Sequence, residues 1–154
     1  MPKIIKDPDY ENQIKIYWNP NYQLKISDFK RTTSDSNYPS FSHISFDPDL
    51  KMHTFEIQKK FSTELISYRA FLVPERSFYN HKLAKQLGII KEQEDALVLH
   101  EQGHFDLAEE FSSTIKKKFS SQFKGRAFST QDDLYDKVNE FFEKMSHEHM
   151  KIQI

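Results

Sequence analysis

The feature that most constrains this chain is a stretch from about Lys91 to about Gln122 that reads as one long helix. Glu92, Glu94 and Asp95 lie in its first turns, Lys116 to Lys118 lie near its end, and Gly125 follows. That order of charges suits the helix macrodipole, which favours acids at the start and bases at the end. At 100° per residue, Ala96, Leu97, His100, His104, Leu107, Phe111 and Ile115 form one stripe, with Glu101, Ala108 and Phe119 on its flank. Gln102, Asp106, Glu109, Glu110, Ser113, Lys116 and Lys117 take the opposite face. The expectation is that His100 and His104 point inward among apolar side chains, while the acids around them face water.

Histidines four apart on a helix stand one above the other, with Cβ atoms about 5–6 Å apart. Both imidazoles can then reach one zinc ion at about 2.0–2.1 Å. Glu101 is turned about 100° from His100, so it is a poor third ligand but well placed to accept a proton. In the His-Glu-x-x-His arrangement the metal lowers the pKa of a water to about 7, and the glutamate takes the proton as the water attacks a carbonyl. Gly103 costs about 1 kcal/mol against alanine inside a helix, which suggests a packing or access reason for it. The plainer alternative is a pair of core histidines beside a solvated glutamate. It leaves two interior imidazoles without partners, which is costly.

The remainder of the chain divides by texture near residue 75. Before it, Gln13 to Trp18, Gln23 to Ile26, His43 to Phe46, His53 to Phe61 and Ser67 to Val73 read as strands. Turn signals separate them at Asn19-Pro20-Asn21, Thr32 to Pro39 and Asp47-Pro48-Asp49. After it, Tyr79 to Leu87 reads as a short helix ending at Gly88. A last helix starts near Thr130, with Asp133 in a capping-box position, and runs to about Met150. With 154 residues, 14 Phe and 7 Tyr, one domain spanning residues 1–154 can bury a core.

Composition excludes several classes. A net charge of −1 gives the whole chain no reason to seek nucleic acid. No stretch approaches the roughly 20 apolar residues of a membrane helix. The absence of cysteine removes disulfides, thiolate ligands and cysteine nucleophiles together. Three glycines and no phosphate-loop pattern disfavour nucleotide chemistry. The opening residues lack a signal-peptide pattern, so the compartment expected is cytoplasmic, or secreted or periplasmic if this is a mature domain.

The segment Leu97-Val98-Leu99-His100-Glu101-Gln102-Gly103-His104-Phe105-Asp106-Leu107-Ala108-Glu109 resembles the signature of a bacterial family of predicted zinc-dependent proteases. Its members carry Leu-Leu-x-His-Glu-Gln-Gly-His-Phe-Asp-Ile-Ala-Glu. Leu24-Lys25-Ile26-Ser27-Asp28-Phe29-Lys30 resembles that family's opening strand, Leu-x-Trp-x-Asp-Phe. The likeness covers roughly residues 16 to 123 and implies a zincin-like α+β domain with peptidase activity on a peptide or protein substrate. Family members continue past the last helix into a Tyr-Asp-x-x-Thr-x-His-like stretch, a source of the remaining ligand. Here Tyr135-Asp136 echoes its start, and no Thr-x-His follows.

A catalytic zinc takes three protein ligands and a water. On the last helix, Leu134, Val138, Phe141, Met145 and His149 share one face, which makes His149 the candidate third ligand and turns His147 outward. Asp133, Asp136, Glu140 and Glu143 stay open as alternatives. His43, His53 and His81 are expected near the surface, and Tyr135 is expected to pack with its hydroxyl in water. The expected architecture is α+β: a small antiparallel sheet packed on the long His-Glu-x-x-His helix, with a C-terminal helix. The expected function is a zinc metallopeptidase with His100, His104 and His149 on Zn2+ and Glu101 as base. The alternative is a binding module that keeps the fold with a weak or vestigial metal site.

Overall fold

A computed structural model describes residues 10, 12–33 and 36–153, with side chains as far as residue 148. The elements run β1 (Ile16–Tyr17), β2 (Ser40–Phe41), β3 (Ile44–Phe55), β4 (Lys60–Leu72), β5 (Phe78–Tyr79), α1 (His81–Leu87), α2 (Lys91–Phe123) and α3 (Gln131–Gln153). Short 3-10 turns lie at Ile26–Asp28 and Pro74–Arg76. Three strands form a sheet in the order β1-β4-β3, and β1 runs antiparallel to β4, with Ile16 opposite Leu72. A second, two-stranded sheet pairs β2 with β5, Ser40 opposite Tyr79. Among the described residues the fold is therefore α+β, with small antiparallel sheets and three α-helices, as the sequence suggests.

The helices match their expected limits within a few residues, because each boundary carries a local chemical signal. Asn80 caps α1 by accepting the Leu83 N–H at 3.0 Å, and Gly88 ends it in the left-handed conformation at φ 66°. The Thr130 hydroxyl accepts the Asp133 N–H at 3.1 Å at the start of α3. The strands depart further. Asp47-Pro48-Asp49 is not a turn but part of β3, where an edge position tolerates a residue that cannot donate a ladder hydrogen bond. The expected strand from His53 to Phe61 is split by a turn at residues 56–59, with Lys59 at φ 51°. Gln23 to Ile26 forms no strand. The Asp28 carboxylate accepts the Lys25 N–H and the Tyr22 hydroxyl, each at 2.8 Å, and folds the segment into the turn at Ile26–Asp28.

Two compact units divide the chain. One comprises Asp9–Phe46 and Ala70–Glu109. Its core gathers Leu24, Phe29, Ala70, Leu72, Tyr79, Ala84, Phe105 and Ala108, so the ends of the strands pack on the first half of α2. The other unit comprises Asp47–Arg69 and Glu110–Ile154. There α3 packs on the second half of α2 through Phe119, Phe141 and Phe142, with Phe119 and Phe141 rings 5.3 Å apart and edge-on. Leu134, Val138, Phe141 and Met145 are buried, the face of α3 expected from its spacing.

Tyr68 stacks on Phe142 in this second unit, with centroids 5.5 Å apart. Burial pushes its hydroxyl well above the ordinary pKa of 10.0. The unfolded chain then loses this proton before the folded one does, so the contribution to stability is complete below about pH 10 and declines as pH rises beyond it. Tyr68→Phe should flatten the alkaline limb of a stability-against-pH curve measured by urea melts between pH 9 and 11. An unchanged limb would contradict the assignment.

Candidate metal centre

The inner face of α2 in the first unit is set by Val98, Glu101, Gln102, Phe105 and Ala108, not by the histidines. Glu101 and Gln102 are each 5% exposed, whereas Leu99 and Leu107 stand 63% and 51% exposed. This corrects the expected rotation of the helix by about a quarter turn. His100 is exposed and His104 half-buried, so the pair opens to solvent and the glutamate faces the protein. Phe111 and Ile115, further along the helix, are buried as expected.

Two amide and indole contacts hold that rotation. The buried Gln102 side chain accepts the Leu24 N–H at 2.8 Å and donates to Asp106 Oδ1 at 2.8 Å. The same Asp106 oxygen accepts the Trp18 indole N–H at 2.9 Å. One turn of α2 is thereby fastened to the chain at Trp18 and at Leu24, which places two polar side chains on a face that apolar periodicity would assign to water. The Asp106 side chain stays exposed at that edge.

The histidines converge. His100 Nε2 and His104 Nε2 are 3.1 Å apart, and the rings meet edge-on at 83°. Two nitrogens at that separation, each about 2.05 Å from a common ion, subtend an angle of roughly 100°, close to tetrahedral. A carboxylate oxygen of Glu101 lies in the same group, with all donor atoms within 4.8 Å of one another. His100, Glu101 and His104 could therefore hold a metal ion. Among the described residues this is the one such group of three.

Glu101 is held from the other side by β2 and the residue that follows it. The Ser40 hydroxyl donates to Glu101 Oε1 at 3.1 Å, and the Ser42 hydroxyl donates to Oε2. Ser40 and Ser42 are two apart on an extended backbone and so share a face. Phe41 between them turns away and stacks on Phe78 at 5.7 Å. Phe29, Tyr79, Leu97 and Val98 line the space around the carboxylate and Ser40. Burial, and after it the Glu94 carboxylate, push the Tyr79 phenol above its ordinary pKa of 10.0, so this wall carries no charge of its own near neutrality. Nothing in the sequence marks Ser40 and Ser42, which fall at the margin between an expected loop and an expected strand.

The other candidate residues are elsewhere. His43 Nε2 lies 2.6 Å from the Tyr10 hydroxyl, His53 pairs with Glu64 at 3.4 Å, and His81 meets the Tyr79 ring at 4.8 Å. Asp133, Asp136, Glu140 and Glu143 lie on α3 and are exposed; Glu140 pairs with Lys137 at 3.4 Å. Tyr135 is half-buried. His149 lies in the last turns of α3, and its side chain falls outside the described residues.

Gly103 sits beside the histidines, and a Cβ added there would meet nothing within 4 Å. Packing therefore does not require glycine at this position. Gly103→Ala should raise stability by about 0.5–1 kcal/mol through helix propensity, read as a higher denaturation midpoint at unchanged slope. A lower midpoint would mean that the backbone at Gly103 needs a freedom the helix does not display.

No known family, curated protein or solved structure matches this chain. No helix among the described residues is long and apolar enough to cross a membrane.

Proposed function

We propose that this chain is a zinc-dependent hydrolase of peptide bonds, with its centre at His100, Glu101 and His104. The observation that carries the reading is the convergence of His100 Nε2 and His104 Nε2 at 3.1 Å beside a buried carboxylate. Two convergent imidazoles and an open, solvent-facing side suit zinc, which is commonly bound by histidine and keeps one position free in catalytic sites. When bound, zinc supplies an acidified water and a Lewis acid for a carbonyl oxygen.

The chain's own groups supply the rest. His100 and His104 hold the ion by Nε2. Glu101 accepts a proton at one carboxylate oxygen and returns it to the leaving amine. Ser40 and Ser42 keep that carboxylate facing the histidines without letting it swing away. β2 pairs through β5 on one side, and an extended substrate could add to a free strand edge by backbone hydrogen bonds.

The second reading, a binding module with a weak metal site, draws on the same contacts: both oxygens of Glu101 are already engaged by serine hydroxyls. Incubating zinc-loaded protein with a mixed peptide library, with Glu101→Gln as control, separates the two. Cleavage by the native protein alone supports the hydrolase. A fully loaded protein that cleaves nothing supports the binding module.

A further inference from the structure

The unit formed by Asp47–Arg69 and Glu110–Ile154 contains a cavity of about 600 Å3 between the start of β4 and the end of α2. That volume lies within the usual range for small-molecule sites, about 300–1,000 Å3. The donor residues of the metal centre are not among those that line it. One wall is apolar, made by Phe55, Leu65 and Phe123, and Phe55 is 47% exposed. Lys116 lies on the last turns of α2 and Lys124 one residue past its end, and both line the cavity. Arg126 joins them, its guanidinium 4.8 Å over the Phe128 ring.

The charges do not cancel. Glu64 is the one carboxylate among the lining residues, and it already pairs with His53 at 3.4 Å. Neither Lys116 nor Lys124 has a carboxylate partner among the described residues. Three cations thus face one carboxylate across an apolar wall. A bare phosphate would leave that wall unused, and a polyanion needs an extended basic stripe rather than a closed opening. We infer that this cavity binds an amphipathic organic carboxylate, with its apolar body against Phe55 and Phe123 and its anionic head between Lys116 and Lys124.

The probe is 4-phenylbutyrate, titrated into the full chain by calorimetry, with 4-phenylbutanol as its uncharged counterpart. Saturable one-to-one binding is expected with a Kd on the order of 10⁻⁴ M. The alcohol should bind at least roughly tenfold more weakly, and the double variant Lys116→Gln, Lys124→Gln should lose a similar factor. Chelation of metal should leave binding unchanged, so this result stands or falls apart from the hydrolase reading. Equal affinity for acid and alcohol, no loss in the double variant, or no saturation below about 10 mM would each overturn the assignment.

Discussion

Glu101→Gln should lower the rate of peptide hydrolysis by about 10²–10⁴-fold, the usual worth of a positioned general base, while metal content stays at the native level. The separation of the two effects follows from the contacts. Glutamine matches the shape of glutamate, and its amide can still bond both serines, because a hydroxyl rotates to accept as well as donate. The wall of buried Phe29 and half-buried Leu97 and Val98 around it meets the same volume. What is lost is the ability to take a proton. Steady-state kinetics on a cleaved library peptide, with elemental analysis of the same sample, measure both quantities. Hydrolysis within about threefold of native would remove Glu101 from the role of base.

Phe105→Ala should destabilise the fold by about 3–5 kcal/mol, as truncation of a fully buried phenylalanine does. Phe105 is 2% exposed and lies in the core of the unit that carries the candidate metal centre. It also stands one turn beyond Glu101 on the same face, so its loss loosens the surface on which Glu101 is held. Leu107→Ala, two residues on and 51% exposed, should cost little, within the range of ordinary surface substitutions, about 0.5 kcal/mol. Urea melts of the pair read the rotation of α2 directly. Were Leu107→Ala the costlier change, the histidines rather than Glu101 would face the core.

That rotation marks the limit of what periodicity reveals. The limits of α1, α2 and α3 were legible because caps, glycines and charge order act locally: Asn80 and Gly88 bound α1, and Thr130 opens α3. The pairing of His100 with His104 was legible too, since four-residue spacing on a helix brings side chains together whatever the helix packs against. Which way they point was not. Counting apolar residues put Leu107 and both histidines inside and Gln102 outside, whereas Leu107 is 51% exposed and Gln102 is buried by bonding Leu24; Leu97 does pack on the core, and Asp106 stays exposed, tied to Trp18. Those partners are 78 and 88 residues away in the chain, beyond any local pattern. Ser40 and Ser42 were invisible for the same reason, because their meaning lies in reaching a glutamate about sixty residues later. Pro48 misled because a turn signal and an edge-strand residue look alike until the sheet order is known.

The account rests on His100 and His104 sharing one ion. Protein purified without added metal should carry about one zinc per chain by elemental analysis, and His104→Ala should carry almost none while keeping its helical content. Native protein that holds no zinc and takes up none at micromolar concentration would contradict it, as would a His104→Ala variant that binds zinc as the native chain does.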